Sequence, residues 1–365
     1  MNMNILIIAN NDVGLYQFRK DLIKELLKDN QVHIALPYGE KVDDLVQFGC
    51  KFIDTPLERR GMNPVKDFGL FKLYKKIIKD VKPDFVITYT IKPNIYGGLA
   101  CRIAGIPYVV NITGLGTAFQ KEGLLKKFVV TLYKIALKKV GVCFFENVEN
   151  QQIFLENKIV PKEKTHVLMG AGVNTEQFSL LPYPKDSEQT KFLFVARVMQ
   201  EKGIDESFEA MKKLLADGIN CHLDVVGMCE EDYTPILEQY QNEGWLTYHG
   251  FQRDVRPFIK ASHCFVLPSW HDGMANTNLE CASCGRPVIT TNIHGCMESV
   301  EEGVSGFLVE KQNVQSLYET MKKFCFISAD EREEMGLAGR KRMLDLFDKR
   351  AVVADTINTI KTKLF

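Results

Sequence analysis

Short apolar runs alternate with helical-period segments along this chain, and they do so in two series. The first comprises Ile5–Ala9 then Leu15–Lys28, Val32–Leu36, Phe85–Tyr89 then Ile95–Ala104, Tyr108–Asn111 then Gly123–Val140, and Val142–Phe145. The second opens at Phe192, with runs Phe192–Val195, Leu223–Val226, Cys264–Leu267 and Val288–Thr290 between helical patterns at 206–217, 232–243, 276–285 and 313–328. Strands covered on both faces read as unbroken apolar runs, and helices between them supply the crossovers of a parallel sheet. The predicted class is therefore α/β, with two tandem Rossmann-like, doubly wound parallel-sheet domains. Between the series, Phe178–Thr190 carries two prolines and no periodicity, the pattern of a linker. The expected boundaries are 1–177, a linker at 178–190 and 191–349, with a last helix near 350–364.

A chain of 365 residues suits two domains, each burying its own core. Hydrophobic residues at 45% and charged residues at 25% describe a globular protein rather than a disordered one. No apolar run approaches the ~20 residues of a membrane-spanning helix. Residues 1–9 lack a secretory leader pattern, so the expectation is cytoplasmic residence. The ten cysteines fall largely inside apolar runs, as small core residues of a reducing compartment do. Cys281 and Cys284 form a lone CxxC without a second pair, and the reading is one turn of a packed helix.

Lys and Arg total 46, as do Asp and Glu, but the balance is uneven. Residues 1–175 hold 25 Lys and Arg against 17 Asp and Glu, +8, and the remainder holds 21 against 29, −8. A basic first half points to an anionic partner or surface, with scattered solvated charges as the plainer explanation. Neither half has the charge of a nucleic-acid binder.

In open α/β sheets ligands lie outside the carboxyl ends of the strands, so the residues after each strand are the ones to inspect. After the first run, Asn10–Lys20 holds no GxGxxG fingerprint, which counts against a dinucleotide-dependent dehydrogenase. Gly14 still opens a helix whose N-terminal N–H groups can face an anion. After Phe192–Val195 come Arg197 and Lys202, two cations suited to a diphosphate. After Cys264–Leu267 comes "SWHDGMANTNLECASCGRPVITT", with Asp272 in the loop and Glu280 one or two turns into the next helix. Carboxylates at that separation can grip different parts of one elongated ligand, and sugar hydroxyls donate to carboxylates well. Any of these residues taken alone reads equally as a solvated surface group.

Together these stretches resemble family 4 of the retaining glycosyltransferases, enzymes of the GT-B fold. The stretch from Ser269 is similar to that family's E-x7-E motif, with Asp272 where the family usually has Glu and Glu280 in the second position. "GCMESV" and "EEGVSGFLV" continue the pattern, "FVARVMQEKGI" resembles the donor-phosphate loop, and "MGAGVNTEQF" the interdomain segment. In the first half, "GLYQFRKDLI", "RRGMNP", "KPDFVITYTIKPNIYGG" and "IPYVVNITGLGTAF" resemble the subgroup that builds capsular, O-antigen and other lipid-linked polysaccharides. Thr113 stands near the place where several relatives carry a histidine, so no histidine-based role carries over.

The resemblance implies two domains facing a central cleft, the final helix 350–365 rejoining the first. The second would take a nucleotide sugar, with UDP preferred by subgroup habit, and the first a saccharide on a polyprenyl diphosphate. It implies Arg197 and Lys202 on the diphosphate, Glu280 on the ribose hydroxyls and Asp272 on the sugar, as the catalytic set. Gly14, Gly250, Phe251, Gly273, Met274, Ala275 and Asn276 would complete the donor site. Arg59, Arg60, Lys92, Thr113, Gly114 and Gly116 would form the acceptor site. Front-face attack within an ion pair would need no protein nucleophile, and the cation pair would make a metal cofactor unnecessary. Lys121–Lys139 mixes lysines with apolar residues at helical spacing, as an interfacial helix does; a core-facing helix with solvated lysines reads similarly. The expected location is the inner face of the cytoplasmic membrane. A sugar-nucleotide epimerase of the same architecture and a non-catalytic nucleotide-sugar binder are the alternatives.

Overall fold

The computed structural model describes residues 2–57, 63–116, 119, 123–184 and 188–365. The backbone divides into two compact units, residues 1–171 with 350–365, and residues 172–349. In the first unit the order is β1 (Asn4–Ile8), α1 (Asp12–Leu27), β2 (Gln31–Leu36), α2 (Val42–Gln47), β3 (Lys51–Asp54) and α3 (Pro64–Val81). There follow β4 (Phe85–Tyr89), α4 (Gly98–Ala104), β5 (Tyr108–Ile112), α5 (Leu124–Ala136), β6 (Val142–Phe145), α6 (Val148–Glu156) and β7 (Thr165–Val167). These strands form a seven-stranded sheet in the order β3-β2-β1-β4-β5-β6-β7, every pair parallel.

Alternation along β1 shows why the run is wholly apolar. Leu6 and Ile8 enter a cluster with Tyr74, Tyr108, Tyr133 and Phe154, whereas Ile5 and Ile7 join Leu15, Leu22, Leu26, Val352 and Ile360 on the other face. Successive side chains point to opposite faces of a strand, so a sheet covered on both sides needs apolar residues at every position. Val352 and Ile360 come from α13 (Lys349–Leu364), which completes the second face of the first unit.

The second unit runs β8 (Thr190–Val195), α7 (Ile204–Ala216), β9 (Cys221–Val226), α8 (Thr234–Asn242), β10 (Leu246–Tyr248), α9 (Arg256–Ala261) and β11 (Cys264–Leu267). It ends with α10 (Asn276–Ser283), β12 (Val288–Thr291), β13 (Gly306–Val309), α11 (Val314–Cys325) and α12 (Ala329–Leu346). Its six-stranded sheet has the order β10-β9-β8-β11-β12-β13. In both sheets the order reverses beside the first strand of the unit, between β1 and β4 and between β8 and β11. That reversal opens the crevice in which doubly wound folds bind ligands.

Two local expectations differ from the structure. Leu181 N–H donates to the Cys284 carbonyl at 3.1 Å and the Tyr183 hydroxyl to the His263 carbonyl at 3.0 Å. The fully buried Arg286 donates to the carbonyls of Leu181 and Pro182 at 3.3 and 2.6 Å. The expected linker 178–190 is thus bound to the second unit as far as Pro184, and the chain passes from one unit to the other between Ala171 and Gly172; residues 185–187 lie outside the described ones. The helix expected at 313–328 stops at Cys325, because Ser328 opens α12 through a capping box with Glu331.

Candidate active site

The loops after β8 and β11 flank the switch point of the second sheet, and the backbone brings them together. After β8 the chain makes a 3-10 turn, Gln200–Lys202, and enters α7 through Gly203 at φ +76°. A Cβ at Gly203 would lie 2.1 Å from the carbonyl oxygen of Pro268, so glycine is required both for the left-handed turn and for the close approach. Trp270 N–H donates to the Glu201 carbonyl at 2.9 Å, and the Trp270 indole N–H donates to Glu206 Oε1 at 3.0 Å. Burial raises the Glu206 carboxyl above its usual range, opposed by that indole bond. On its far side the Asp272 carbonyl meets Gly295, where a Cβ would come within 2.3 Å. Ala275 N–H donates to the Gly295 carbonyl at 2.7 Å.

Within this frame Lys202 Nζ lies 2.7 Å from Asp272 Oδ1 and 2.8 Å from Oδ2. The two side chains are only 14% and 16% exposed. Lys202 and Asp272 are 70 residues apart and meet because β8 and β11 are adjacent, with Phe265 in register with Leu193. Arg197 takes a different partner: its Nη1 is 3.0 Å from Glu230 Oε2, in a pair 49% and 29% exposed. The expectation that Arg197 and Lys202 jointly present charge to one diphosphate therefore meets a structure in which each cation has a carboxylate partner.

Glu280 stands on the second turn of α10, half-buried, one turn beyond Asn276. Ala275 and Gly203 precede α10 and α7 at the N-cap positions, and neither supplies a side-chain cap. By contrast, α1, α3, α6, α11 and α12 are capped by Asn11, Asn63, Asn147, Asn313 and Ser328. Met274 and Ala275 are buried, and Gly273 is half-buried beside Asp272. Gly250 adopts φ +63°, and its carbonyl accepts from Gly227 N–H at 2.8 Å, which leaves Phe251 52% exposed at the edge of the sheet.

In the first unit, Gly14 belongs to the first turn of α1, and its N–H donates to Asn11 Oδ1 at 2.6 Å. That N–H is spent on the cap rather than presented to an anion. Lys92 follows β4 and lies 3.0 Å from Asp67 of α3, the side chains being 15% and 8% exposed. Tyr96 shares this site, its phenol raised by burial and by Asp67. Lys92 is thus a half of a buried ion pair, not a solvated cation. Directly after Lys92 the chain makes a π-helical turn, Pro93–Gly97, which includes Tyr96 and is preceded by Thr90 at φ +73°. Asn94 ties the turn to the sheet, accepting from the Thr88 hydroxyl at 2.6 Å and donating to the Asn111 carbonyl at 2.8 Å. Thr113 and Gly114 follow β5 half-buried, and Gly116 has φ +67° against Ile91. Arg59 and Arg60 lie outside the described residues.

Glu201, Glu206, Trp270, Glu230 and Asp67 do not stand out in the sequence. Each acts through a partner 25 or more positions away, and only Trp270, one of two tryptophans, carries a compositional signal. Among the described residues no group of three or more His, Cys, Asp and Glu is placed to hold a metal ion. Cys281 and Cys284 are buried free thiols, Cys284 pushed up to about 12 by burial.

The chain thus has two doubly wound parallel-sheet units, with a largely buried cation paired to a carboxylate at the switch point of the second. Residues 179–342 match the family described as "Glycosyl transferases group 1", and residues 4–147 match "Glycosyl transferase 4-like". An Escherichia coli UDP-Gal:alpha-D-GlcNAc-diphosphoundecaprenol alpha-1,3-galactosyltransferase is 30% identical over 313 residues, 80% of each chain. The N,N'-diacetylbacillosaminyl-diphospho-undecaprenol alpha-1,3-N-acetylgalactosaminyltransferase of Campylobacter jejuni is 27% identical, covering 92% of each. A Rickettsia africae glycosyltransferase superposes with TM-score 0.82 at 21% identity, over 100% of this chain and 99% of that one. Anabaena HepE in complex with UDP and glucose gives 0.81 at 18% identity, over 99% and 100%. The chain belongs to the family 4 glycosyltransferases and has the GT-B fold. It is a glycosyltransferase.

Proposed function

We propose that this enzyme moves a sugar from a UDP-sugar to a saccharide carried on a polyprenyl diphosphate, in the assembly of a capsular or O-antigen polysaccharide. The named activities of the Escherichia coli and Campylobacter jejuni relatives support the acceptor class, and the first of them names a UDP donor. The observation that carries the reading is Lys202, a largely buried ammonium fixed at the switch point of the second sheet. There it meets a donor diphosphate and stabilises the negative charge that builds as the glycosidic bond to phosphate breaks. Glu280 accepts the ribose hydroxyls, Arg197 adds charge at the rim, and the start of α10, at Met274 and Asn276, supplies backbone N–H groups. Gly250 and Phe251 line the base. In the first unit Lys92, Thr113, Gly114 and Gly116 take the acceptor. Transfer retains anomeric configuration and needs no metal.

The membrane face is α5. Val129, Val130, Tyr133 and Ala136 are buried, while Leu124 is 85% exposed and Leu125, Phe128 and Ile135 are also exposed. Lys127, Lys134, Lys138 and Lys139 are exposed beside them. Among the described residues no helix is long and apolar enough to cross a membrane, and an apolar stripe flanked by lysines suits the interface of an anionic bilayer.

The test is transfer of labelled sugar from a panel of UDP-sugars to undecaprenyl-diphosphate-linked saccharides, with EDTA present and absent. Lys202→Ala and Glu280→Ala should each lower kcat/KM by about 100-fold or more through lost charge stabilisation and positioning. Near-wild-type turnover by both folded variants would remove the assignment. Neutralising Lys126, Lys127, Lys138 and Lys139 should abolish sedimentation with anionic liposomes; unchanged sedimentation would sink the membrane face.

A further inference from the structure

The reading of Asp272 as a ligand of the transferred sugar fits poorly with where its carboxylate is. Both of its oxygens are within hydrogen-bond distance of the Lys202 ammonium, at 2.7 and 2.8 Å. Both side chains have given up most of their hydration, so removing one partner leaves the other's charge poorly compensated. The main chain fixes it from two sides: Gly203 against Pro268 sets the lysine loop, and Gly295 against Asp272 itself sets the acid loop. Where the family usually has glutamate, this chain has an acid shorter by one methylene.

We propose that Asp272 is a positioning residue for Lys202, not a sugar ligand. It holds the ammonium through both carboxylate oxygens and thereby directs the N–H donors on its far side at the donor diphosphate. This rests on the reading above that Lys202 meets that diphosphate. A fixed negative charge beside the diphosphate also weakens the ground-state binding of the nucleotide, so Asp272 lowers affinity while holding the cation that serves the transition state.

The discriminating ligand is UDP, which has the diphosphate but no sugar. In titration calorimetry, Asp272→Asn should bind UDP about tenfold more tightly than wild type, from relief of like charge at the site, while kcat with the UDP-sugar falls about tenfold or more for want of an oriented ammonium. Asp272→Glu keeps the charge and should leave UDP affinity within about twofold. Lys202→Met should weaken UDP binding, and adding D272N to it should recover part of the loss, because the negative charge beside the diphosphate is then gone. That last comparison decides the matter if D272N alone does not fold. If D272N leaves UDP affinity unchanged and weakens only the UDP-sugar, Asp272 is a sugar ligand and the proposal is overturned, with the donor site intact. If wild-type enzyme binds neither UDP nor GDP, the donor-site reading falls and the proposal falls with it.

Discussion

Lys202 and His263 show how differently the second unit treats two ionisable side chains. Lys202 is largely withdrawn from solvent with a carboxylate against it. His263 is buried neutral: its Nδ1 accepts the N–H of Lys191 at 2.9 Å, which a protonated Nδ1 could not do. Burial first, and then the charges of Arg332, Lys191 and Arg286, together lower its pKa from 6.5 to about 4. The unfolded chain therefore binds a proton that the folded unit refuses between those two values. The stability this histidine contributes is complete above pH 6.5 and is lost as the pH falls toward 4. The urea midpoint of the second unit should drop between pH 7 and pH 5, and His263→Gln, which keeps an acceptor for Lys191, should flatten that drop. An equal slope in both proteins would show that other groups govern it.

At the level of elements, α12 packs on α10, the helix that carries Glu280, and just past the end of α10 the contact is backbone on backbone. A Cβ at Gly336 of α12 would lie 2.1 Å from the carbonyl oxygen of Gly285. Gly336→Ala should therefore push the helix away and destabilise the second unit by about 1–3 kcal/mol. Gly69→Ala, in α3 with nothing within 4 Å of the new methyl, should be neutral or stabilising by about 0.4–1 kcal/mol. Equal urea midpoints for the two variants would refute this account of the α10–α12 contact.

The same elements show what the sequence made legible. The central strands β1, β4, β5, β6, β8, β11 and β12 read clearly, because burial on both faces demands unbroken apolar runs. The edge strands β3 and β7 are only half-buried, so they carry mixed residues and no period. Asp272 and Glu280 could be picked out from their spacing within one stretch. That Lys202 pairs with Asp272, and Lys92 with Asp67, could not, since adjacency across a sheet depends on strand order and not on distance along the chain.

For the molecule as a whole, the two units have separate cores, so two-state unfolding is not expected. Both tryptophans, Trp245 and Trp270, lie in the second unit, and their fluorescence follows that unit alone. Removing residues 350–365 strips Val352 and Ile360 from the first core. The circular-dichroism transition of the first unit should then move to lower urea while the tryptophan transition stays in place. A shift of the tryptophan transition by the same amount would show that the cores are not separate.

That returning helix has a consequence for how the protein is made. Residues 1–171 leave the ribosome early, yet the face of their sheet that α13 covers stays bare until the whole second unit has been synthesised. The part begun first is finished last, and in the interval a chaperone has an apolar strip to shield.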